Sequence, residues 1–180
     1  MSKTETELKF RLPTFPYLET TPASISQTYI DFSKEVKKLA EALFENTFAW
    51  SNIKEIRVRE KIYLDEIKYT LTLKSDGTLD RDEYEMRINK DEYDLFLSYP
   101  TLGTINKFRY TALLPTTNLI VELDNYCGKL KGLYIAEVEY NKLDYPDNSI
   151  IVEDLKELLG TNIEDVTYDP QFKNRVLASK

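Results

Sequence analysis

Glu5, Glu7 and Lys9 fall on every second position of "KTETELKFRL", with Thr6 and Leu8 between them. On a strand this spacing sets two carboxylates and an ammonium on one face, where they could hold a metal ion and an anion together. The alternation recurs along the chain. Arg57 and Arg59 flank Val58, Lys74 ends "YTLTLK", and Arg81, Glu83, Glu85 and Arg87 alternate through "RDEYEMR"; Lys107 and Arg109 flank Phe108, Glu122 and Asp124 flank Leu123, and Glu137 and Glu139 flank Val138. The wet face of an antiparallel sheet would also carry Lys, Arg and Glu, but mixed for solubility. Here the signs are sorted into basic pairs (57/59, 107/109) and acidic pairs (122/124, 137/139). If that face turns inward, the cations can grip phosphate oxygens and the carboxylates can hold a hard divalent cation. Ligand, metal and water would then offset the cost of burying so much charge.

Alternating patterns predict strands at about 4–11, 24–31, 54–63, 67–75, 81–88, 104–113, 118–125 and 132–141. "SKEVKKLAEALFEN" spaces Val36, Leu39, Ala40 and Leu43 as one helical face behind a capping Ser33, so a helix is expected at 33–46 inside an insertion at about 32–53. Shorter helices are expected at 90–98 and 152–159, with a last one at 170–178 opened by Pro170. Asp-Gly in "SDGT" (75–78) suits a hairpin. Consecutive strands with short connections favour a mainly β (α+β) fold, either a sandwich or a closed barrel.

With 180 residues, 42% hydrophobic and only 5 Gly and 7 Pro, the chain is expected to form a single domain over 1–180. A formal charge of -7 argues against non-specific binding to nucleic acid or an anionic membrane, so any anion must be met by a local basic cluster. The absence of His removes the commonest zinc ligand and the usual general base. Chemistry must therefore fall to carboxylates, Lys, Arg and Tyr. Cys127 is alone, which rules out an intramolecular disulfide, and no apolar N-terminal segment is seen, so a cytoplasmic location is expected.

"ETELK" fits the E-x-E-x-K signature of the CYTH family, the triphosphate tunnel metalloenzymes. "RVR", "TLTLKS", "RDEYE", "KFRY", "VELD", "AEVE" and "EDVTYDPQFKN" follow in that family's order. The chain most resembles the small bacterial inorganic triphosphatases. The resemblance implies an eight-stranded antiparallel barrel, open at both ends, that hydrolyses inorganic triphosphate with Mg2+ or Mn2+. It implies that Lys9, Arg57, Arg59, Lys74, Arg81, Lys107 and Arg109 contact phosphate. Glu5, Glu7, Glu137 and Glu139 would form the metal face, helped by Glu83, Glu85, Glu122 and Asp124. Lys9, with Tyr29 of "SQTYI", is the expected proton handler, because crowded cations lower an ammonium pKa; a packed aromatic is the alternative for Tyr29.

Related substrates stay open at this stage, namely a nucleoside or thiamine triphosphate, or cyclase chemistry on ATP; so does a polyphosphate-binding module without turnover. Cys127 is expected to pack as a small core residue and Gly128 to serve a turn. Asp165, Lys173 and Asn174 are expected to close one mouth, or the last helix simply to pack there. The 33–46 helix offers a solvated face, a lid or a homodimer contact.

Overall fold

A computed structural model describes residues 3–45, 48–77 and 79–180, with only the backbone described for Lys3 and Glu5. The eight expected strands are β1 (Lys3–Arg11), β2 (Ala23–Ile30), β3 (Ile53–Tyr63), β4 (Glu66–Ser75), β5 (Asp80–Ile88), β6 (Thr101–Leu113), β7 (Ile120–Tyr126) and β8 (Tyr134–Glu139). They hydrogen-bond in the order β5-β4-β3-β2-β6-β7-β8-β1. Pairing of Thr6 with Asp80 and Lys3 with Glu83 joins β1 to β5 and closes the cylinder. The alternatives of sandwich and barrel thus resolve to a closed antiparallel barrel. A two-residue β9 (Glu164–Asp165), not expected from sequence, pairs with the far end of β1 beyond β5.

Apolar residues of the wall point outward, beneath helices. Leu8, Phe10, Leu123, Ala136 and Val138 of β1, β7 and β8 pack under α3 (Ser149–Leu159) through Ile151 and Leu155. Ile56, Val58, Leu71 and Leu73 of β3 and β4 pack under α1 (Lys34–Phe44) and α2 (Lys90–Leu97) through Val36, Ala40, Tyr93 and Phe96. Each such side chain is worth about 1.5–3 kcal/mol when fully buried, so the outer cores hold the wall in shape and release the inner face for polar groups. Caps fix the covering helices. Ser33 Oγ accepts the Val36 N–H of α1, and Asn89 with Glu92 forms a reciprocal capping box on α2.

The C-terminal segment lies across one end. A 3-10 turn (Pro170–Phe172) and α4 (Asn174–Ala178) replace the single helix expected at 170–178, because Lys173 between them is extended (φ -63°, ψ 129°). Leu177, Phe172 and Ala178 pack against Tyr29, Ile105, Tyr126 and Ile135 of the inner wall. With this cover the barrel takes the form of a cup with an apolar floor at that end. Gly103, at φ 138°, makes room for this cover, since a Cβ there would stand 1.9 Å from the Ala178 carbonyl oxygen. Among the described residues no helix is long and apolar enough to cross a membrane.

Candidate active site

Strand parity points Lys9, Arg57, Arg59, Lys74, Lys107, Arg109, Glu122, Asp124 and Glu137 inward, and the strand order then sorts them in space. β4, β3, β2 and β6 are neighbours and form a basic arc with Lys74, Arg57, Arg59, Lys107 and Arg109. β7, β8 and β1 form an acidic arc with Glu122, Asp124, Glu137, Glu139 and Glu7, into which Lys9 is set. β5 carries both signs, in Arg81, Glu83 and Glu85. These walls enclose a cavity of about 1170 Å³ that opens between Asn118–Ile120 and Tyr140–Tyr145.

In the free protein the lumen neutralises itself. Arg109 bridges the arcs: its guanidinium forks onto Asp124 with two contacts of 2.7 Å, reaches Glu137 at 2.7 Å and pairs with Glu122. Lys107 also pairs with Asp124, which is fully buried. Lys74 holds Glu83 at 2.5 Å, and Arg57 approaches Glu83 and Glu85 at 3.7 and 4.0 Å. Lys9 lies 2.8 Å from Glu137 and 3.5 Å from Glu7, and its Nζ donates to the Phe172 carbonyl at 3.5 Å.

These partners set the protonation states. Burial works to lower the Lys9 pKa, but Glu137 and Glu7 outweigh it and hold the ammonium above its ordinary value. These two carboxylates favour the charged form of Lys9. Lys107 moves in the direction anticipated for Lys9, pushed down by burial and then by Arg109. Despite its burial, Glu137 is held well below the usual carboxylate range by Lys9, Lys107 and Arg109. Burial, followed by Glu55, raises the Tyr29 phenol. Tyr29 is 1% exposed in the apolar floor and receives a hydrogen bond from Gln27 Nε2, a placement in keeping with the packed-aromatic alternative.

The remaining expected residues divide. Glu139 is exposed and stands opposite Glu7 in register, while Glu85 is exposed and accepts from Thr72 Oγ1 at 2.9 Å. Arg81 lines the lumen. The Glu5 backbone pairs with Arg81, but the Glu5 side chain lies outside the described residues. Asp165 sits in β9, outside the barrel wall. Two lumen residues were missed. Gln27, buried on β2, accepts from Arg59 Nε at 3.2 Å, and its parity with Tyr29 was the signal. Tyr126 donates to Asn174 Oδ1 at 2.6 Å, and Asn174 Nδ2 donates to Glu137 at 3.4 Å, which ties the C-terminal cover to the acidic arc.

Cation binding is favoured by the register. Glu7 faces Glu139 and Glu122 faces Glu137 directly across neighbouring strands. Like charges so placed repel unless a cation lies between them; Arg109 fills that place between Glu122 and Glu137, and Lys9 pairs with Glu7 and Glu137. All these donors are hard carboxylate oxygens, the set suited to Mg2+ or Mn2+. Among the described residues no three acids are gathered into a metal cluster.

No family model matches the chain. An inorganic triphosphatase from Nitrosomonas europaea is 31% identical over 175 residues, covering 97% of this chain and 97% of that protein. The chain belongs to the CYTH triphosphate tunnel family. A crystal structure of an inorganic triphosphatase matches this CYTH barrel with a TM-score of 0.57 at 26% identity, covering 98% of this chain and 95% of that one. A Hippeastrum adenylyl cyclase-like protein with a dominant triphosphatase activity also reaches 0.57, at 17% identity and with 89% and 90% covered, a likeness of CYTH fold alone.

Proposed function

We propose that this protein hydrolyses inorganic triphosphate to diphosphate and orthophosphate inside the cup, with Mg2+ or Mn2+ held by Glu7, Glu137 and Glu139 together with Glu122. The observation that carries this reading is the basic arc of β3, β4 and β6 facing the paired carboxylates of β1, β7 and β8. A triphosphate oxygen can take the place of a carboxylate at Arg57, Arg59, Lys74 and Lys107, and each acid released from a base becomes available to the cation. Guanidinium forks suit the non-reacting phosphates, and the lysines act as point charges. Phosphoryl transfer asks little covalent chemistry of a protein and is served mainly by positioning and charge. Lys9, held protonated, contributes charge opposite the phosphoryl oxygens. When bound, the metal ion would neutralise phosphate charge and polarise a phosphoryl oxygen. The lone Cys127 and the lack of His agree with a cytoplasmic enzyme that uses neither thiol nor imidazole.

Phosphate release measured side by side from triphosphate, ATP, thiamine triphosphate and long-chain polyphosphate, each with Mg2+, Mn2+ and Ca2+, tests the assignment. Fastest release from triphosphate with Mg2+ or Mn2+ is expected. Faster release from ATP would overturn the substrate, and tight triphosphate binding without turnover would make the protein a binding module.

A further inference from the structure

A second basic cavity lies behind the C-terminal cover, on the side away from the mouth. It measures about 410 Å³, and its wall carries Lys54, Arg81, Lys173 and Arg175 against two carboxylates, Glu55 and Asp76, with the hydroxyls of Ser75 and Ser179 beside them. The chain's overall charge is -7, so this local excess of cations is built against the general trend. Side-chain contacts tie the group together: Arg175 Nη1 donates to the Lys54 carbonyl at 2.6 Å, and Lys173 Nζ stands 3.6 Å from Asp76. A narrow waist of about 20 Å³, lined by Lys9, Phe172 and Lys173, shares lining residues with both cavities. That is room for about one water molecule. Arg81 lines all three spaces, the lumen, the waist and the rear cavity.

We propose that the rear cavity is a second anion site, taking a single tetrahedral oxyanion, orthophosphate, and that its occupancy weakens triphosphate binding by drawing on Arg81. A phosphate among Lys54, Lys173 and Arg175 attracts the one guanidinium that both cavities share, and triphosphate in the lumen attracts it the other way. The two anions are therefore negatively coupled, and by linkage each weakens the other by the same factor. The existence of the site is independent of the reading of the lumen; the feedback by product rests on that reading.

The test pairs calorimetry with kinetics on the full chain. Orthophosphate is titrated into wild type, into Lys54→Gln/Arg175→Gln, into Arg175→Lys and into the lumen variant Arg59→Gln. Lys54 and Arg175 are exposed, so their replacement leaves the barrel intact, which circular dichroism checks. The double variant is expected to lose about tenfold in affinity for the rear phosphate, in keeping with charge-assisted contacts, while Arg175→Lys and Arg59→Gln retain it. In turnover, phosphate should raise the apparent KM for triphosphate to a plateau of roughly fivefold, as coupling between two sites does, and not without limit. The double variant should show the same KM in the absence of phosphate and no plateau component. Purely competitive, unlimited inhibition that is identical in both proteins would overturn the coupling, and equal phosphate titrations of wild type and double variant would overturn the site. If triphosphate is not turned over, the functional reading fails by itself and the calorimetry still decides whether the rear site exists.

Discussion

Arg109→Ala removes the residue that ties the two arcs together. Its fork on Asp124 and its contacts to Glu137 and Glu122 leave three carboxylates short of a partner when the side chain is truncated. Breaking one partnership of a buried pair costs about 3–5 kcal/mol. Asp124 keeps Lys107 and Glu137 keeps Lys9, which places the loss near 3 kcal/mol on that scale. At this chain length each kcal/mol moves the Tm by about 2–4 °C, so the variant should melt roughly 6–12 °C below wild type. The cause is excess negative charge, and the deficit should respond to cations. Millimolar Mg2+ or Mn2+ alone should recover a clear part of the lost Tm in the variant and shift wild type less, since wild-type acids are occupied by Arg109 and Lys9. Thermal unfolding followed by circular dichroism, with and without metal, reads both effects. A variant melting within about 2 °C of wild type, less than 1 kcal/mol on the same scale, or one whose metal response equals that of wild type, would refute the self-neutralised lumen.

Two further predictions concern the elements that frame the cup. Asp154 of α3 is buried and accepts from the Thr116 and Thr117 N–H groups at 2.9 and 2.7 Å and from Thr117 Oγ1 at 2.7 Å, which anchors the β6–β7 loop at the mouth. Asp154→Ala should cost about 1–3 kcal/mol by leaving those donors unmet. Burial acts to raise the Asp154 pKa, but these donors hold it below the usual value. The stabilisation is therefore complete above the unfolded pKa of about 3.9 and is lost as pH falls through the lower folded value, so the acid limb of a Tm-against-pH plot should be shallower in the variant. Gly103→Ala drives a methyl into the Ala178 carbonyl; displacement of α4 should lower Tm by about 5–10 °C and reduce kcat as Asn174 leaves Glu137. Unchanged melting and turnover would show that the cover does not support the acidic arc.

The wall of the cup was legible in the sequence because its period is two, with apolar residues at Ile56, Val58, Leu71 and Leu73 and polar or charged ones at Arg57, Arg59, Thr72 and Lys74. The inner and outer faces follow from parity alone. β9 escaped notice because two residues cannot display alternation. α3 begins at Ser149, before the expected 152, since the β-branched run Ile150–Val152 weakens a helical reading. The floor escaped for a different reason. Tyr29, Tyr126 and Leu177 are scattered through the chain, and no local pattern announces their meeting. The neighbours of Lys9 were legible only in part: Glu7 stands two residues away, but Glu137 arrives from β8, and the effect of cationic neighbours is larger at Lys107.

The balance of charge in the lumen bears on how metal and substrate can bind at all. A row of uncompensated cations would attract triphosphate but would cost several kcal/mol for each ion held in a dry interior, and a row of free acids would do the same for the metal. By pairing Lys107 and Arg109 with Asp124, and Lys9 with Glu137, the protein keeps both sets buried at low cost. On the proposed function each ligand should bind better with the other present: triphosphate would draw bases off the acids and expose carboxylates, while a divalent cation would draw acids off the bases and expose the phosphate grips. Such an exchange of partners would couple metal and triphosphate positively, and linkage then predicts that each tightens the other by one common factor. A rigid scaffold permits this exchange, because Leu8, Val58, Leu73, Leu123 and Val138 fix the strands from outside while the inner side chains change partners.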